Sequence, residues 1–284
     1  ALTGLKEGTI VVGGAGDNAA AAVGTGVVED GRAFATIGTS GVVFAHTDKL
    51  SIDPKGRVHT FCCAVPGAWH VMGVTLAAGQ SLKWYRDNFC DADKVEAEKQ
   101  GVDPYDLMTA EAAKTPIGSN RLIYLPYLMG ERTPHLDPDC RGAFVGLSGM
   151  HTRYDLVHAV MEGVTFSLRD CAEILRGMGV QSDVILACGG GGSSAFWRQM
   201  MADILGCPVA TTISKEGPAL GVAILAGVGA GLYPSVPEAC RQIIGVNASQ
   251  DPVAEHVAEY DKFYEIYRGL YPALKDSWHK LAEL

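Results

Sequence analysis

Three glycine-rich stretches restrict the fold of this chain more than any other feature of its sequence. They cover residues 13–16, 38–41 and 189–192, and each follows a short apolar run. Strand-like runs that alternate with helix-like runs predict an α/β architecture of packed layers. Glycine at a strand end lets a ligand approach the backbone closely, and the N–H groups of such turns suit phosphate. The sequence therefore predicts one site that holds phosphate and sugar mainly through backbone groups.

The first stretch ends in Asp17 and Asn18, a carboxylate and an amide at a strand-to-helix turn. The apolar residues 10–12 before it predict a strand, and the alanine-rich residues 19–28 after it predict a helix. Most Asp residues in this position only cap the helix. The alternative is a catalytic carboxylate, because the neighbouring glycines leave room for a ligand. The residues of this turn alone leave both interpretations open.

The second and third stretches can each be a plain turn or a phosphate site. Residues 38–41 separate two β-prone runs and predict a hairpin over 33–45. Glycine at positive φ explains such a turn, and exposed N–H groups and hydroxyls around a phosphate are the alternative. The third stretch follows a strand predicted over 183–188 and begins a helix, but it matches neither the dinucleotide motif nor the Walker sequence.

The rest of the chain adds predicted elements around these turns. Strands are predicted over residues 69–76, 121–127 and 208–213, and helices over 77–88, 155–178, 195–205 and from 216 onward. Glu162 lies on the apolar side of the 155–178 helix, which predicts a capping or pairing role in a buried place. Residues 91–114 predict a solvated helical insertion, and composition favours a salt-bridged surface corner for the polar loop 130–135. The tail, 253–284, predicts a long helix that is interrupted near Pro272.

Composition argues against several classes of protein. The net charge of -9 disfavours a nucleic-acid partner. The eight cysteines never form a C-x-x-C pair, and the histidines have no metal-ligand spacing, so neither a zinc site nor a disulfide framework is predicted. No apolar run reaches membrane-spanning length, and no signal peptide is visible. We expect a cytoplasmic protein with buried, reduced thiols and no membrane contact.

Several segments resemble the FGGY carbohydrate kinases and, within that family, the xylulokinases most closely. The family's second signature fits residues 142–147 and, after seven further residues, a group of matching positions: Asp155, Leu156, Ala159, Val160, Met161 and Glu162. Residues 126–135, 188–203 and 217–221 are similar to xylulokinase segments in the same order. The resemblance covers nearly the whole chain, but only the C-terminal half of such a kinase.

The resemblance implies the actin-like ATPase fold, in which two ribonuclease-H-like domains close on a cleft. Residues 1–32 would be the tail of the first domain, and residues 33–284 the C-terminal domain with its final helix. The rest of the first domain, which carries the family's Asp-x-Gly-Thr/Ser phosphate loop and most sugar contacts, would be missing. We therefore expect a fragment that is inactive alone. For the intact protein we expect a homodimer, as is usual for the relatives.

The resemblance also implies a reaction, D-xylulose and ATP giving D-xylulose 5-phosphate and ADP, with Mg2+ as cofactor. Asp17 matches the general base, and Asn18, where glycerol kinases usually carry Gln, favours a ketopentose as the substrate. The nucleotide would be held by Gly38, Thr39, Ser40, Gly79, Lys83, Gly190, Gly191 and Ser194. Lys83 and Ser193 depart from residues common among relatives, which leaves the nucleotide preference open. The alternatives are a kinase for another polyol, such as glycerol, gluconate or ribulose, and a non-catalytic nucleotide-binding domain.

Overall fold

The computed structural model describes residues 3–284 of the chain as layers of helices on a mixed β-sheet. The helices are α1 Asp17–Thr25, α2 Gly79–Phe89, α3 Asp91–Gln100, α4 Pro104–Ala112, α5 Arg153–Gly177, α6 Gly189–Gly192, α7 Ala195–Leu205, α8 Gly217–Gly229, α9 Val236–Ile243 and α10 Ala254–Ala282. The strands are β1 Gly31–Ile37, β2 Gly41–Thr47, β3 His59–Cys62, β4 Trp69–Thr75, β5 Ile123–Leu125, β6 Ala143–Val145, β7 Ser182–Cys188, β8 Val209–Thr212 and β9 Val246–Gln250. The predicted α/β class is confirmed.

The main sheet has the strand order β3-β4-β2-β1-β7-β8-β9. On one side of β1, β2 pairs antiparallel with β1, and β4 pairs antiparallel with β2. On the other side β7 and β8 run parallel to β1. The carboxyl ends of β1, β7 and β8 therefore meet at one edge of the sheet, which is where open α/β sheets place their ligands.

Both faces of the central strands are buried. Alternate residues of β1 face opposite ways: Ala33, Ala35 and Ile37 join the large core formed with α5, whereas Phe34 joins a smaller cluster with Ala22 of α1. Helix α5 also buries the acid that the sequence analysis placed on its apolar side. Glu162 accepts hydrogen bonds from the Gly118 N–H and the Ser119 hydroxyl, both at 2.7 Å. The predicted pairing role of this acid is confirmed.

Helices α1 and α8 are in direct backbone contact, which only small residues permit. A Cβ added at Gly24 of α1 would lie 1.8 Å from the carbonyl oxygen of Gly217. A Cβ added at Gly221 of α8 would lie 1.9 Å from the carbonyl oxygen of Ala20. The small residues at the start of α8 thus permit close helix packing.

Two predicted backbone features are wrong. Residues 10–12 form no strand within the described part of the chain: they pair with no strand of either sheet, and Ile10 is 63% exposed and Val11 88% exposed. The tail helix is not interrupted, because α10 continues through Pro272. A proline removes one helical hydrogen bond, and the aromatic side chains that α10 buries, among them Tyr267 and Trp278, hold the helix on the core on both sides of it.

The polar loop over 130–135 is buried rather than a surface corner. Glu131 and Thr133 are 2% and 0% exposed. One oxygen of Glu131, Oε1, accepts hydrogen bonds from the N–H groups of Leu76 and Arg132, at 2.9 and 2.7 Å. The Thr133 hydroxyl accepts from the Val74 N–H at 3.1 Å. The loop therefore supplies partners to the end of β4, a demand that composition does not reveal.

The structure also describes the thiols and the apolar character of the helices. All eight cysteines are free thiols, and Cys90, Cys140, Cys171, Cys207 and Cys240 are buried. Burial raises the pKa of the Cys90 thiol to about 11, so this group is a weak nucleophile. Within residues 3–284, none of the helices is both long and apolar enough to cross a membrane.

Candidate functional site

The 38–40 turn and α6 lie side by side because β1 and β7 are parallel neighbours in the sheet. Thr36 of β1 stands opposite Cys188 of β7, so the two glycine stretches begin at the same edge. Within the turn, the Gly38 N–H donates to the carbonyl oxygen of Ser40 at 3.1 Å. Two of the three glycine stretches that the sequence singled out are thus brought together by the register of one strand pair.

Helix α2 begins directly on the 38–40 turn. The Gly79 N–H donates to the Gly38 carbonyl oxygen at 2.7 Å, and the Gln80 N–H donates to the Thr39 carbonyl oxygen at 3.1 Å. The turn carbonyls thereby satisfy N–H groups at the start of the helix. Among residues 3–284, the N–H groups of Thr39 and Ser40 donate to no acceptor. The turn keeps its donors available for an anion while α2 occupies its acceptors.

Gly79 is required by this contact. A Cβ added there would lie 2.5 Å from the Gly38 carbonyl oxygen, closer than any side chain can approach. The sequence analysis selected Gly79 only through the family resemblance, and the structure gives a packing reason for the same residue.

The two stretches line a cavity of about 460 Å³, here called the turn cavity. Its wall includes seven of the eight residues predicted to hold the nucleotide, together with Ser193: Gly38, Thr39, Gly79, Lys83, Gly190, Gly191, Ser194 and Ser193. Ser40 does not line it, because this residue turns back to close the hairpin. A cavity of this size lies in the range of small-molecule sites.

Ser194 and Trp197 fix the far wall of the turn cavity. The Ser194 hydroxyl accepts a hydrogen bond from the Trp197 N–H at 3.3 Å and so caps α7. The Trp197 indole N–H donates to the Thr165 hydroxyl oxygen at 2.9 Å, which anchors the ring to α5. The wall is held by hydrogen bonds before any ligand arrives.

Helix α4 forms the remaining wall, although the sequence predicted only a solvated insertion there. Asp103, Tyr105, Asp106 and Thr109 line the turn cavity. Asp103 caps α4 by accepting from the Tyr105 N–H at 2.8 Å, and the Arg86 guanidinium lies 4.5 Å from the centre of the Tyr105 ring. The Asp-Pro pair at 103–104 is a helix-start signal in the sequence. No local signal shows which side of that helix meets the glycine turns.

Lys83 stands at the edge of the turn cavity. Its ammonium lies 2.5 Å from the Asp87 carboxylate, one helical turn further along α2. The side chain is 54% exposed, so this pair contributes little to stability and Lys83 can exchange it for a ligand anion.

Asp17 and Asn18 line a neighbouring cavity of about 610 Å³, here called the Asp17 cavity. Gly16 occupies the cap position of α1, and Asp17 is the first helical residue. The Asp17 Oδ1 accepts from the Asn18 N–H at 2.8 Å and from the Asn18 side-chain amide at 3.5 Å, and the residue is exposed to solvent. The simple interpretation of Asp17 as a helix cap is therefore wrong.

The two cavities join at α6. Gly190 of α6 and Ser193 just after it line both of them, whereas the 38–40 turn lines only the turn cavity and Asp17 lines only the Asp17 cavity. The Asp17 cavity also includes Lys215, an exposed cation just before α8 that the sequence analysis did not select. Lys215 follows the end of β8, and only the sheet order shows that β8 ends at this edge.

One further group of side chains has metal-ligand geometry. Ligand atoms of Asp137, Asp139 and His279 lie within 4.8 Å of one another. Asp137 already accepts hydrogen bonds from the Tyr271 hydroxyl at 2.8 Å and from His279 Nε2 at 2.9 Å. The protein itself thus satisfies this carboxylate, which ties α10 to the loop before β6. The absence of a metal site of the chain's own stays a prediction.

Comparisons with known proteins agree with this geometry. Residues 33–230 match the family model of the FGGY family of carbohydrate kinases, C-terminal domain. The xylulose kinase of Bacillus subtilis (strain 168) is 39% identical over 276 residues, which is 97% of this chain and 53% of that protein. The gluconokinase of the same organism is 33% identical over 282 residues, covering 99% of the chain and 54% of that protein. The chain therefore spans about half the length of the curated relatives it matches.

The fold comparison leads to the same family. The crystal structure of xylulose kinase from Rhodospirillum rubrum superimposes with a TM-score of 0.85 at 30% identity, over 98% of this chain and 54% of that one. Kinases of this kind have the actin-like ATPase fold, so the fold class predicted from the sequence is confirmed. The glycine turns, their common edge of the sheet, the family match and the structural likeness lead to one conclusion: the chain belongs to the FGGY family of carbohydrate kinases.

Proposed function

We propose that the protein containing this chain phosphorylates D-xylulose with ATP, giving D-xylulose 5-phosphate and ADP. The observation that carries the proposal is the junction of the two cavities at Gly190 and Ser193. One cavity has free turn donors suited to phosphate, and the other has an open carboxylate suited to a sugar hydroxyl. A phosphoryl group held between them would lie next to both partners of the transfer.

The 38–40 turn would hold the β- and γ-phosphates through the N–H groups of Thr39 and Ser40. Backbone donors in such turns bind anions without needing a positive net charge, which suits an acidic chain. The base and ribose would occupy the turn cavity, between α4 and the wall that Trp197 anchors. Gly190, Gly191, Ser194, Gly79 and Lys83 stay predictions as nucleotide contacts, since their places on the wall support this role without testing it.

Asp17 would act as the general base. Its carboxylate accepts the proton from the C5 hydroxyl of the sugar as that oxygen attacks the γ-phosphorus, and the bond from phosphorus to the β-γ bridging oxygen breaks. The transition state of phosphoryl transfer is loose, so the protein contributes mainly by positioning the reactants and by stabilising charge. The preference for a ketopentose, with Asn18 beside the base, is likewise a proposal.

Mg2+ would neutralise charge on the transferring phosphoryl group. Asp17 is the one carboxylate among the described residues that line the Asp17 cavity, and Asp103 and Asp106 line the turn cavity on the side of α4. This donor set fits a cation that takes most of its ligands from phosphate and water.

A domain division is part of the proposal. We place the tail of a first domain at residues 1–32 and the C-terminal domain at 33–284, and infer that a partner domain completes the sugar site. The half-length match to the relatives supports this division. The 284-residue chain alone should bind Mg·ADP weakly and show no turnover, and measurable turnover by it would contradict the division. A homodimer and a cytoplasmic location stay predictions.

The test uses the full-length protein with Asp17→Asn and a matched control, Asp91→Asn. Both acids are the first residue of a helix, and Asp91 lies outside both cavities. Release of ADP with D-xylulose should fall by about 10²–10⁴-fold in Asp17→Asn, the usual contribution of a general base. The Kd of Mg·ADP should stay within about threefold. Near-normal turnover in Asp17→Asn, or an equal loss in the control, would refute the assignment.

Gluconate phosphorylation is the second candidate, favoured by the similarity to a gluconokinase along 99% of the chain. The discriminating measurement is kcat/KM for D-xylulose, D-ribulose, gluconate and glycerol under the same conditions. D-xylulose should give the highest value. A higher value for gluconate would replace the proposed substrate and leave the role of Asp17 intact.

A further inference from the structure

A third cavity, of about 640 Å³, lies at the opposite edge of the sheet and is here called the far cavity. Its wall is formed by the loop that follows β2, the second half of α5 and the middle of α10. Strand β2 starts beside the 38–40 turn and ends at Thr47, so the loop after it lies a full strand length, about 20 Å, from that turn. Among the described residues, the far cavity shares no lining residue with the turn cavity or the Asp17 cavity.

Asp170 forms the polar floor of the far cavity. It is 8% exposed, and its Oδ1 accepts a hydrogen bond from the Tyr264 hydroxyl at 2.7 Å. Its second oxygen, Oδ2, has no hydrogen-bond partner among residues 3–284 and is not sealed from the cavity. Burial raises the pKa of Asp170 to about 7. Buried carboxyls are normally hydrogen-bonded on both oxygens, so this one is set to bind a hydroxyl group.

Aromatic rings form the side walls. Tyr267, Tyr271 and His135 line the far cavity, and the rings of His135 and Tyr271 are stacked with their centres 3.5 Å apart. Tyr267 is 1% exposed, and its hydroxyl accepts from the Tyr127 hydroxyl at 3.3 Å. Rigid rings with polar edges suit the C–H face of a sugar carbon chain together with its hydroxyls.

The mouth of the far cavity is positive once ion pairs are taken into account. Arg57 is neutralised by Asp53, which it contacts at 2.8 and 2.9 Å. Lys55 forms no ion pair within the described chain, and the contact of Arg268 with Glu265 is long, at 3.9 Å, and solvent-exposed. Two cations are therefore available at the entrance.

The one remaining acid on the wall is engaged elsewhere. Glu173 contacts Arg176 at 2.9 Å and Arg169 at 3.6 Å. The free groups that face the far cavity are thus a carboxyl at its floor and two cations at its mouth, with aromatic walls between them.

We propose that the far cavity binds a small polyhydroxylated anion, of the chemical class of sugar phosphates. Hydroxyl groups of the ligand bind Asp170, its carbon chain packs on His135 and Tyr271, and its phosphate binds Lys55 and Arg268. The site is separate from the proposed kinase site and does not rest on the proposed reaction. A ligand there contacts α5, α10 and the loop after β2, and α5 also packs against β2, the strand that begins directly after the 38–40 turn.

Isothermal titration of the 284-residue chain with D-ribose 5-phosphate, xylitol and inorganic phosphate tests the proposal. The sugar phosphate should bind one site per chain. Lys55→Met and Arg268→Met should each weaken it about tenfold, the usual cost of losing a charge-assisted hydrogen bond. Xylitol and inorganic phosphate should each bind at least about tenfold more weakly than the sugar phosphate, since each lacks half of the contacts.

Control variants separate this site from the proposed active site. Asp17→Asn should leave the affinity for D-ribose 5-phosphate unchanged, and Mg·ADP should not compete with it. Asp170→Ala should abolish binding while thermal denaturation shows a folded chain; Lys55→Met, at an exposed position, serves if Asp170→Ala does not fold. Absence of binding, equal binding of inorganic phosphate, or loss of binding in Asp17→Asn would each overturn the proposal.

Discussion

Gly190 and Gly191 are adjacent in α6, yet a methyl group added to each should have opposite effects. A Cβ at Gly191 would lie 2.5 Å from Ile37 Cγ2 and 3.1 Å from the Trp197 ring. A Cβ at Gly190 would meet no atom within 4 Å, because this residue faces the junction of the turn cavity and the Asp17 cavity. Gly191→Ala should therefore damage the fold, and Gly190→Ala should damage the site.

The magnitudes follow from burial. Ile37 and Trp197 are 1% and 3% exposed, so neither can move aside and overpacking at Gly191 should cost ~1–3 kcal/mol. Replacing glycine by alanine in a compatible backbone stabilises the folded chain by about 0.4–1 kcal/mol, because the unfolded chain loses conformational freedom. The net loss in Gly191→Ala is then on the order of 1–2 kcal/mol, or roughly 2–8 °C in Tm for a chain of this size. Gly190→Ala causes no overpacking and keeps only the stabilisation from replacing glycine by alanine, so its Tm should rise by roughly 1–4 °C.

Binding should show the reverse order. The methyl group of Gly190→Ala would occupy space that the proposed nucleotide needs, and the same ~1–3 kcal/mol of overpacking corresponds to about a 5- to 150-fold weaker Kd for Mg·ADP. Thermal denaturation by circular dichroism and isothermal titration with Mg·ADP measure the two effects on the same samples. Equal Tm losses in the two variants, or unchanged ADP affinity in Gly190→Ala, would refute the placement of the nucleotide at α6.

Three further changes test other parts of the structure. Burial raises the pKa of Glu131 to about 8 from 4.5, so its contribution to stability is complete below pH 4.5 and is lost as pH rises to 8. In denaturant titrations at a series of pH values, the free energy of unfolding of the unmodified chain should fall with pH over this interval, and Glu131→Gln should lack ~1.4 kcal/mol per pH unit of that fall. The same pH dependence in both proteins would contradict the raised pKa. Gly221→Ala should lower the denaturation midpoint, because its Cβ would lie 1.9 Å from the Ala20 carbonyl oxygen. Trp197→Phe should cost ~1–3 kcal/mol by leaving the Thr165 hydroxyl without its donor, and an unchanged Tm would contradict that role.

Periodicity in the sequence predicted the elements whose signal is carried by many residues. The 25-residue helix α5 and its inward-facing Glu162 were both predicted, because an apolar stripe with one acid in it permits few interpretations. The hairpin of β1 and β2 was predicted from a glycine turn between two β-prone runs. The glycine stretches also predicted backbone-lined cavities, since this property belongs to the residue type itself.

The errors concern properties that only distant contacts decide. Residues 10–12 have a strand-like composition but pair with no strand of the described fold. The loop around Glu131 is polar in sequence and buried in the fold, since the end of β4 needs its hydrogen-bond partners. The wall formed by α4 depends on how a charged insertion packs back on the glycine turns. Single-sequence patterns describe which face of an element is apolar, but they do not say what that element meets.

The contact between α1 and α8 limits how the proposed base can move. Because backbone meets backbone at Gly24 and Gly221, and Val23 of α1 packs with Ile224 of α8 beside this contact, a shift of one helix along the other would produce clashes. Both helices must then travel as one rigid body, and Asp17 travels with them. Rotation is left to the chain just before Asp17, where a Cβ added at residues 13, 14 or 16 would touch nothing. Any closure of the cleft should therefore move the Asp17 carboxylate together with Gly217 and Pro218, the first residues of α8, so that this part of the wall of the Asp17 cavity keeps its shape.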